Sequence, residues 1–291
     1  MTTGVRFESP SSAQDAARLL AGAQAGARIL AGGTDLLVQM RSGRLQPGLI
    51  INVKGIDEIM SIHEQPDGFR VGAAVPCMTL VSHKAFASMF PGVVDGANLV
   101  GSVQVRGRAS MGGNLCNASP AADSVPAMIA AGAIVTIEGP DGRREVPVED
   151  IPAGPGKTTL APGELLVSFF FPKPRPNSST AYMRFTPRTE MDIAVVGVGV
   201  ALTLDSNGVC VDAKVSLGAV AERALVVPEA AAALIGTRVD DAALEKMAAA
   251  ASQAARPIND KRGTKVFRIK LAGVMARRTA LKALARAKEQ H

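Results

Sequence analysis

The sequence predicts an α+β protein: α/β units come first, then a C-terminal domain made of a small antiparallel sheet plus helices. Three observations lead there. A β–turn–α–β pattern occupies roughly the first 50 residues, as an alternation of buried strand and amphipathic helix demands. A proline-rich break, Pro172-Lys173-Pro174-Arg175-Pro176-Asn177-Ser178-Ser179, then marks a domain boundary. Beyond it, strand-like runs come first and helical ones last, the order of a segregated sheet and helices.

The elements follow in chain order. Ser12 and Asp15 form a capping pair ahead of an Ala/Leu-rich helix over 13–21. Arg28-Ile29-Leu30-Ala31 is a short buried strand that ends in Gly32-Gly33. Thr34 to Met40 is helical, and Leu49 to Val53 is a second buried strand. Pro66-Asp67-Gly68 turns a hairpin. Thr79 to Phe90 and Gly92 to Val100 read as helices, as does Asp123 to Ala131. Ala133 to Glu138 and Arg144 to Val148 flank a hairpin turn at Asp141-Gly142. Leu165 to Phe171 is a continuously apolar strand. After the break, Ala181 to Thr186, Ile193 to Leu204 and Val209 to Leu217 are strands. Asp205-Ser206-Asn207-Gly208 joins the last two as a hairpin. Pro228 to Ile235, Asp240 to Ala255 and Thr264 to Lys288 are helical.

Composition narrows the function. With 291 residues, 47% apolar content and 20% charge, the chain is long enough for two cored domains. No apolar run reaches the roughly 18 residues of a membrane span. Met1 to Pro10 lacks a basic flank and an apolar stretch, so a cytoplasmic protein without a signal peptide is expected. Cys77, Cys116 and Cys210 are scattered, and no C-x-x-C pair offers an iron–sulfur or zinc site. His63, His83 and His291 show no metal-ligand spacing, so all six are read as structural or surface residues. The net charge of +6 comes without Trp and with a single Tyr, Tyr182, which argues against nucleic-acid binding. The basic excess gathers in Lys261 to Lys288. It is either the solvated face of a terminal helix or a docking surface for an acidic partner.

Two double-glycine segments carry the chemistry: Ala31-Gly32-Gly33-Thr34-Asp35 and Ser110-Met111-Gly112-Gly113-Asn114. Read as turns, they let backbone approach a ligand closely, and their successive N–H groups suit an anion. Together they suggest one extended diphosphate held from two sides. Competing motifs fail. Gly154-Pro155-Gly156-Lys157-Thr158-Thr159 ends like a P-loop, but Ile151 stands where the first glycine belongs. Gly197-Val198-Gly199 opens like a dinucleotide fingerprint, yet Leu202 replaces the third glycine and the run continues as a strand. The acidic pairs Glu149-Asp150 and Asp240-Asp241 sit at helix starts, where they favour the dipole. No nucleophile–base arrangement emerges.

The flanks of the glycine pairs are more specific. Ile29-Leu30-Ala31-Gly32-Gly33-Thr34-Asp35-Leu36 resembles the first flavin loop of the FAD-binding medium subunits of molybdenum hydroxylases, the xanthine dehydrogenase and CO dehydrogenase type. The run from Ser110 to Asp123 resembles the second loop, and Val103-Gln104-Val105-Arg106 matches upstream of it. Lys157-Thr158 with Pro162-Gly163-Glu164-Leu165-Leu166 resembles the segment closing the FAD domain. Arg188 to Ala194 resembles the start of the family's C-terminal domain.

The resemblance implies a PCMH-type FAD-binding domain over 1–176, with subdomains of about 1–55 and 56–176, and a CO dehydrogenase flavoprotein-like C-terminal domain over 177–291. It implies that the two glycine loops hold the FAD pyrophosphate. Asp123, Leu166 and Arg184 match further FAD contacts. Ile193 falls near the flavin ring, and Val100 stands where some relatives carry an aromatic. The implied partners are a molybdopterin-binding large subunit and a small subunit with 2Fe-2S clusters, with a heterohexamer as the family expectation. The implied role is electron transfer from iron–sulfur centres through FAD to an external acceptor, with no catalytic residue and no metal on this chain. A four-cysteine cluster found in some relatives has no counterpart here. Thr34-Asp35 replaces the His-Ser pair of the CO dehydrogenase branch, which argues against CO as substrate. Alternatives are a self-sufficient FAD oxidase or reductase, for which Cys116 is a formal covalent-link candidate, and a non-catalytic assembly module.

Overall fold

Short apolar runs separated by turn residues organise the chain into three main sheets. The computed structural model describes residues 4–23, 26–189 and 191–289, so His291 lies outside the described residues. Arg6–Glu8 (β1), Ala27–Leu30 (β2) and Leu49–Asn52 (β3) form a parallel sheet in the order β1-β3-β2. Leu49-Ile50-Ile51 is buried throughout, as the central strand of a parallel sheet requires. Helix Ala13–Gly22 sets Ala13, Ala16 and Ala17 in the same core as Ile51, Val53 and Ile59. Ser12 caps this helix by accepting the Asp15 amide proton at 3.1 Å. β1 has no counterpart among the sequence expectations. It has three residues and leaves Phe7 exposed, too little for periodicity to register.

The second sheet is wholly antiparallel. Ile62–Gln65 (β4), Gly68–Gly72 (β5), Ile134–Gly139 (β6) and Gly142–Pro147 (β7) make the two expected hairpins. Pro152–Gly154 (β8) and Lys157–Thr158 (β9) form a small ribbon. Leu165–Pro172 (β10) inserts between β5 and β6 to give the order β4-β5-β10-β6-β7. Behind it, Phe69 packs edge-on to Phe86 with ring centroids 5.6 Å apart, and Phe90, Phe169 and Phe171 complete the cluster. Each such ring removed from water contributes on the order of 2–3 kcal/mol.

Two expectations change here. The helix expected over 79–90 is two, Cys77–Ser82 and Lys84–Met89, because the His83 ring accepts the Phe86 amide proton and starts a new helix. The second glycine pair is not a turn but the first turn of helix Met111–Cys116, with Ser110 as its cap. The P-loop-like run forms β8, β9 and the turn between them, with no helix to follow.

The third sheet is β11-β12-β13-β14, from Ser178–Phe185 (β11), Val196–Leu204 (β12), Cys210–Gly218 (β13) and Leu225–Val226 (β14). A Cβ on Gly199 would lie 2.2 Å from the Pro126 carbonyl oxygen, so this glycine serves close packing and not a nucleotide. Helix Asp241–Ala254 packs on helix Lys265–Glu289, which covers the sheet. Ala272, Ala276, Ala280, Ala283 and Ala287 are buried on its side. Asp240 caps the first of these helices by accepting the Ala243 amide proton.

The basic residues of the terminal helix divide between the expected solvated face and internal ties that the sequence did not suggest. Lys265 and Lys270 are exposed. Arg268 is buried and donates to the carbonyls of Val195 and Ala219 and to Asp260. Lys282 and Arg286 converge on Asp95, at 3.0 and 2.7 Å, and tie the terminal helix to helix Pro91–Ala97 of the preceding unit. Asp95 also accepts the Tyr182 amide proton, so three elements meet on one carboxylate.

Candidate cofactor site

A cleft of about 660 Å³ is lined from β2 on one side, from β10 on another, and by both double-glycine segments. Residues eighty apart in sequence thus share one wall. The first segment contributes Ala31, Gly32, Gly33, Thr34 and Asp35, flanked by Ile29 and Leu36. The second contributes Ser110, Gly112, Gly113 and Asn114. Val100 and Leu166 also line the cleft. The side chains of Leu30 and Met111 lie beneath the loops: Met111 is buried, and a Leu30 methyl lies 3.0 Å from where a Gly33 Cβ would stand. Asp123, Arg184 and Ile193 are not among the lining residues.

The four glycines are there for different reasons. A Cβ on Gly32 would overlap the Arg108 carbonyl oxygen at 2.0 Å, and one on Gly112 would overlap the Ala73 carbonyl oxygen at 2.3 Å. These two hold the segments against the protein itself. Gly33 has φ +74°, a left-handed conformation that reverses the chain into helix Leu36–Arg41. Only Gly113 has space beyond it: the nearest atom to its would-be Cβ is the Ser110 hydroxyl at 3.3 Å.

The polar groups are arranged for an anion. Among the described residues, the amides of Gly32, Gly33, Thr34 and Asp35 meet no protein acceptor. Four successive N–H groups at the edge of a cleft form an anion cradle. Ser124, buried, donates to Asn114 Oδ1 at 2.7 Å and so leaves the Asn114 Nδ2 protons for the cleft. Asn117 donates to Asp35 Oδ1 at 3.4 Å and links the two segments. Burial pushes the Asp35 carboxyl above its ordinary range.

Behind the second segment lies a buried ion pair. Asp123 accepts from Arg184 Nη1 at 2.5 Å and from the Tyr182 hydroxyl at 2.8 Å, with side chains only 9% and 6% exposed for Asp123 and Arg184. Burial pushes the Asp123 carboxyl up to about 6, against the pull of Arg184 and the tyrosine hydroxyl. The pair bridges helix Ser124–Ala130 to β11 and so couples the C-terminal sheet to the cleft wall. Ile193, 50% exposed, precedes β12.

Sequence reasoning missed part of the wall. Gly156 and Thr158 from the failed P-loop, Leu160, Glu164 and Arg28 all line the cleft, as does Cys116. The resemblance over Lys157 to Leu166 was the available signal. Glu164 is held below its ordinary range chiefly by the bidentate hydrogen bonds of Arg144, and also by the Ala161 amide. A depressed carboxylate stabilises the fold above its unfolded pKa, and that stabilisation is lost as pH falls through the folded value. Arg144 is partly exposed, which limits the effect to about 1 kcal/mol. Glu164→Gln is therefore expected to lower the urea midpoint at pH 7 and to flatten its fall below about pH 4.5, the ordinary glutamate range.

Comparison with known proteins agrees with this geometry. Residues 3–174 match the FAD binding domain in molybdopterin dehydrogenase, and residues 181–283 match the CO dehydrogenase flavoprotein C-terminal domain. The chain belongs to the FAD-binding medium-subunit family of molybdenum hydroxylases. It is 34% identical to the carbon monoxide dehydrogenase medium chain of Afipia carboxidovorans over 97% of both chains. It is 29% identical to the putative xanthine dehydrogenase FAD-binding subunit of Escherichia coli (strain K12) over 90% of both. The solved structure of reconstituted CO dehydrogenase from Oligotropha carboxidovorans superposes with a TM-score of 0.92 at 32% identity, covering 98% of this chain and 100% of that one.

The medium-subunit family consists of oxidoreductase subunits that bind FAD, and its partner subunits carry molybdopterin and 2Fe-2S clusters. The residues present fit FAD: a cleft of about 660 Å³, four unpartnered amides for a pyrophosphate, and open space above Gly113. Among the described residues no helix is long and apolar enough to cross a membrane.

Proposed function

We propose that the chain is the electron-transfer flavoprotein subunit of a molybdenum hydroxylase, taking electrons from iron–sulfur centres on a partner and delivering them to an external acceptor. The convergence of both glycine segments on one cleft carries this reading. The backbone amides of Gly32 to Asp35 and the Gly112-Gly113 backbone would hold the pyrophosphate, with Ser110 and Asn114 beside them. Ile29, Leu30, Ala31, Leu36, Met111, Val100 and Leu166 would shape the apolar walls. Asp123 and Arg184 set the position of the second segment, and Ile193 would cover the flavin end. Bound FAD supplies one- and two-electron exchange, which suits it to link single-electron centres to a two-electron acceptor.

The protein's own task is then to bind, orient and shield. That agrees with a cleft whose carboxylates are committed elsewhere: Glu164 to Arg144, Asp35 to Asn117. The substrate would be chosen on the molybdopterin-binding large subunit, and Thr34-Asp35 supports one other than CO. The chain purified from its host should bring molybdenum and iron with its flavin, and that flavin should bleach when the substrate is added anaerobically. A yellow chain that turns over a substrate alone, without metal-bearing partners, contradicts the subunit role and favours a self-sufficient flavoenzyme.

A further inference from the structure

Arg106 closes the short helix Val103–Arg106, is only 8% exposed, and has a buried Nε without any hydrogen-bond partner. Two residues on, the Arg108 carbonyl abuts Gly32, while the Arg108 side chain is exposed. Lys54 reaches the same place from the other side, its Nζ donating to the Ala31 carbonyl at 3.3 Å. Burial, and then the charge of Arg108, hold the Lys54 ammonium below its ordinary range, as expected of neighbouring cations. Among the described residues none of the three forms an ion pair. None of the three lines the cleft. Val103, 54% exposed, and the exposed Gln104 precede Arg106 on its helix.

A buried guanidinium nitrogen without an acceptor is costly, and proteins keep one where a partner satisfies it. Resting on the subunit reading above, we propose that Lys54, Arg106 and Arg108, with Val103 at their edge, form the docking surface for an acidic segment of a partner subunit. One carboxylate of that segment enters beside Arg106. Charge complementarity selects this occupant: three cations that form no ion pair among the described residues, with an apolar side chain.

The test compares wild type with Arg106→Met and with the double variant Lys54→Ser/Arg108→Ser, each as the full chain, alone and coexpressed with the partner subunits. Alone, Arg106→Met should keep its FAD content and melt no lower than wild type, since the substitution removes an uncompensated charge. In the complex, affinity for the partner should fall about tenfold or more, as when a buried interfacial charge pair loses one member. Carbodiimide treatment of the wild-type complex should join Lys54 to an aspartate or glutamate of another chain, located by mass spectrometry. Lower melting or lost FAD in the isolated Arg106→Met chain would assign the cations an internal role and overturn the proposal. So would unchanged affinity in both variants, or Lys54 cross-links confined to its own chain. Failure of the wild-type chain to associate with any metal-bearing subunit instead refutes the subunit reading itself.

Discussion

Gly113→Ala is expected to weaken FAD binding while leaving the apoprotein at least as stable as wild type. Gly113 lies inside helix Met111–Cys116, where glycine costs about 0.5–1 kcal/mol relative to alanine. The new methyl meets only the Ser110 hydroxyl, at 3.3 Å, and otherwise enters the cleft. Gly113→Val should extend the effect and lower affinity by roughly a hundredfold, the scale of about 3 kcal/mol for a misfit of this size. Gly32→Ala should behave in the opposite manner. Its methyl would overlap the Arg108 carbonyl, so it strikes the fold before any ligand is present. A loss of several kcal/mol, at the upper end of single substitutions, is expected. Thermal melting of the apoproteins with FAD titration of each separates the two. Equal loss of stability in both variants would show that neither glycine is reserved for a ligand.

Arg184→Met is the second large effect. It leaves Asp123 buried with only the Tyr182 hydroxyl and should cost about 3–5 kcal/mol near pH 8. The cost should depend on pH with a definite sign. In the wild type the Asp123 carboxyl is already above its unfolded value of 3.8, at about 6, so its share of stability declines as pH rises between those values. Without Arg184 the folded value rises further, and the declining range extends upward through neutrality. The variant should therefore recover stability as the solution is made acidic, measured by urea midpoints from pH 5 to 8. Adding Asp123→Asn to Arg184→Met should remove this slope. A variant whose deficit is constant with pH would mean that the pair contributes packing and not charge.

The sequence revealed local features better than distant ones. The capped helix after Ser12, the hairpins at Asp67-Gly68 and Asp141-Gly142, and the strands flanking Asn207-Gly208 depend on neighbouring residues and were found within a few positions. The order β4-β5-β10-β6-β7 was not legible, because β10 enters between hairpins formed about thirty to a hundred residues earlier. Helix Met111–Cys116 was hidden by its two glycines, poor helix formers that the Ser110 cap and packing on Ala73 hold in place. At the site, the need for closely approaching backbone in both glycine segments was legible. Their division of labour was not, since it depends on Arg108 and Ala73 approaching from elsewhere in the fold. Gly156 and Thr158 failed as a P-loop yet stand on the cleft wall, placed there by the β8–β9 ribbon.

The most direct measurement is the visible spectrum of the purified chain titrated with FAD and separated from free cofactor. The two-segment cradle predicts flavin absorption eluting with the wild-type protein at about one FAD per chain, and loss of that absorption in Gly113→Val with the fold intact by circular dichroism. A wild-type chain that stays colourless at saturating FAD, or a Gly113→Val chain with full flavin occupancy, would contradict it.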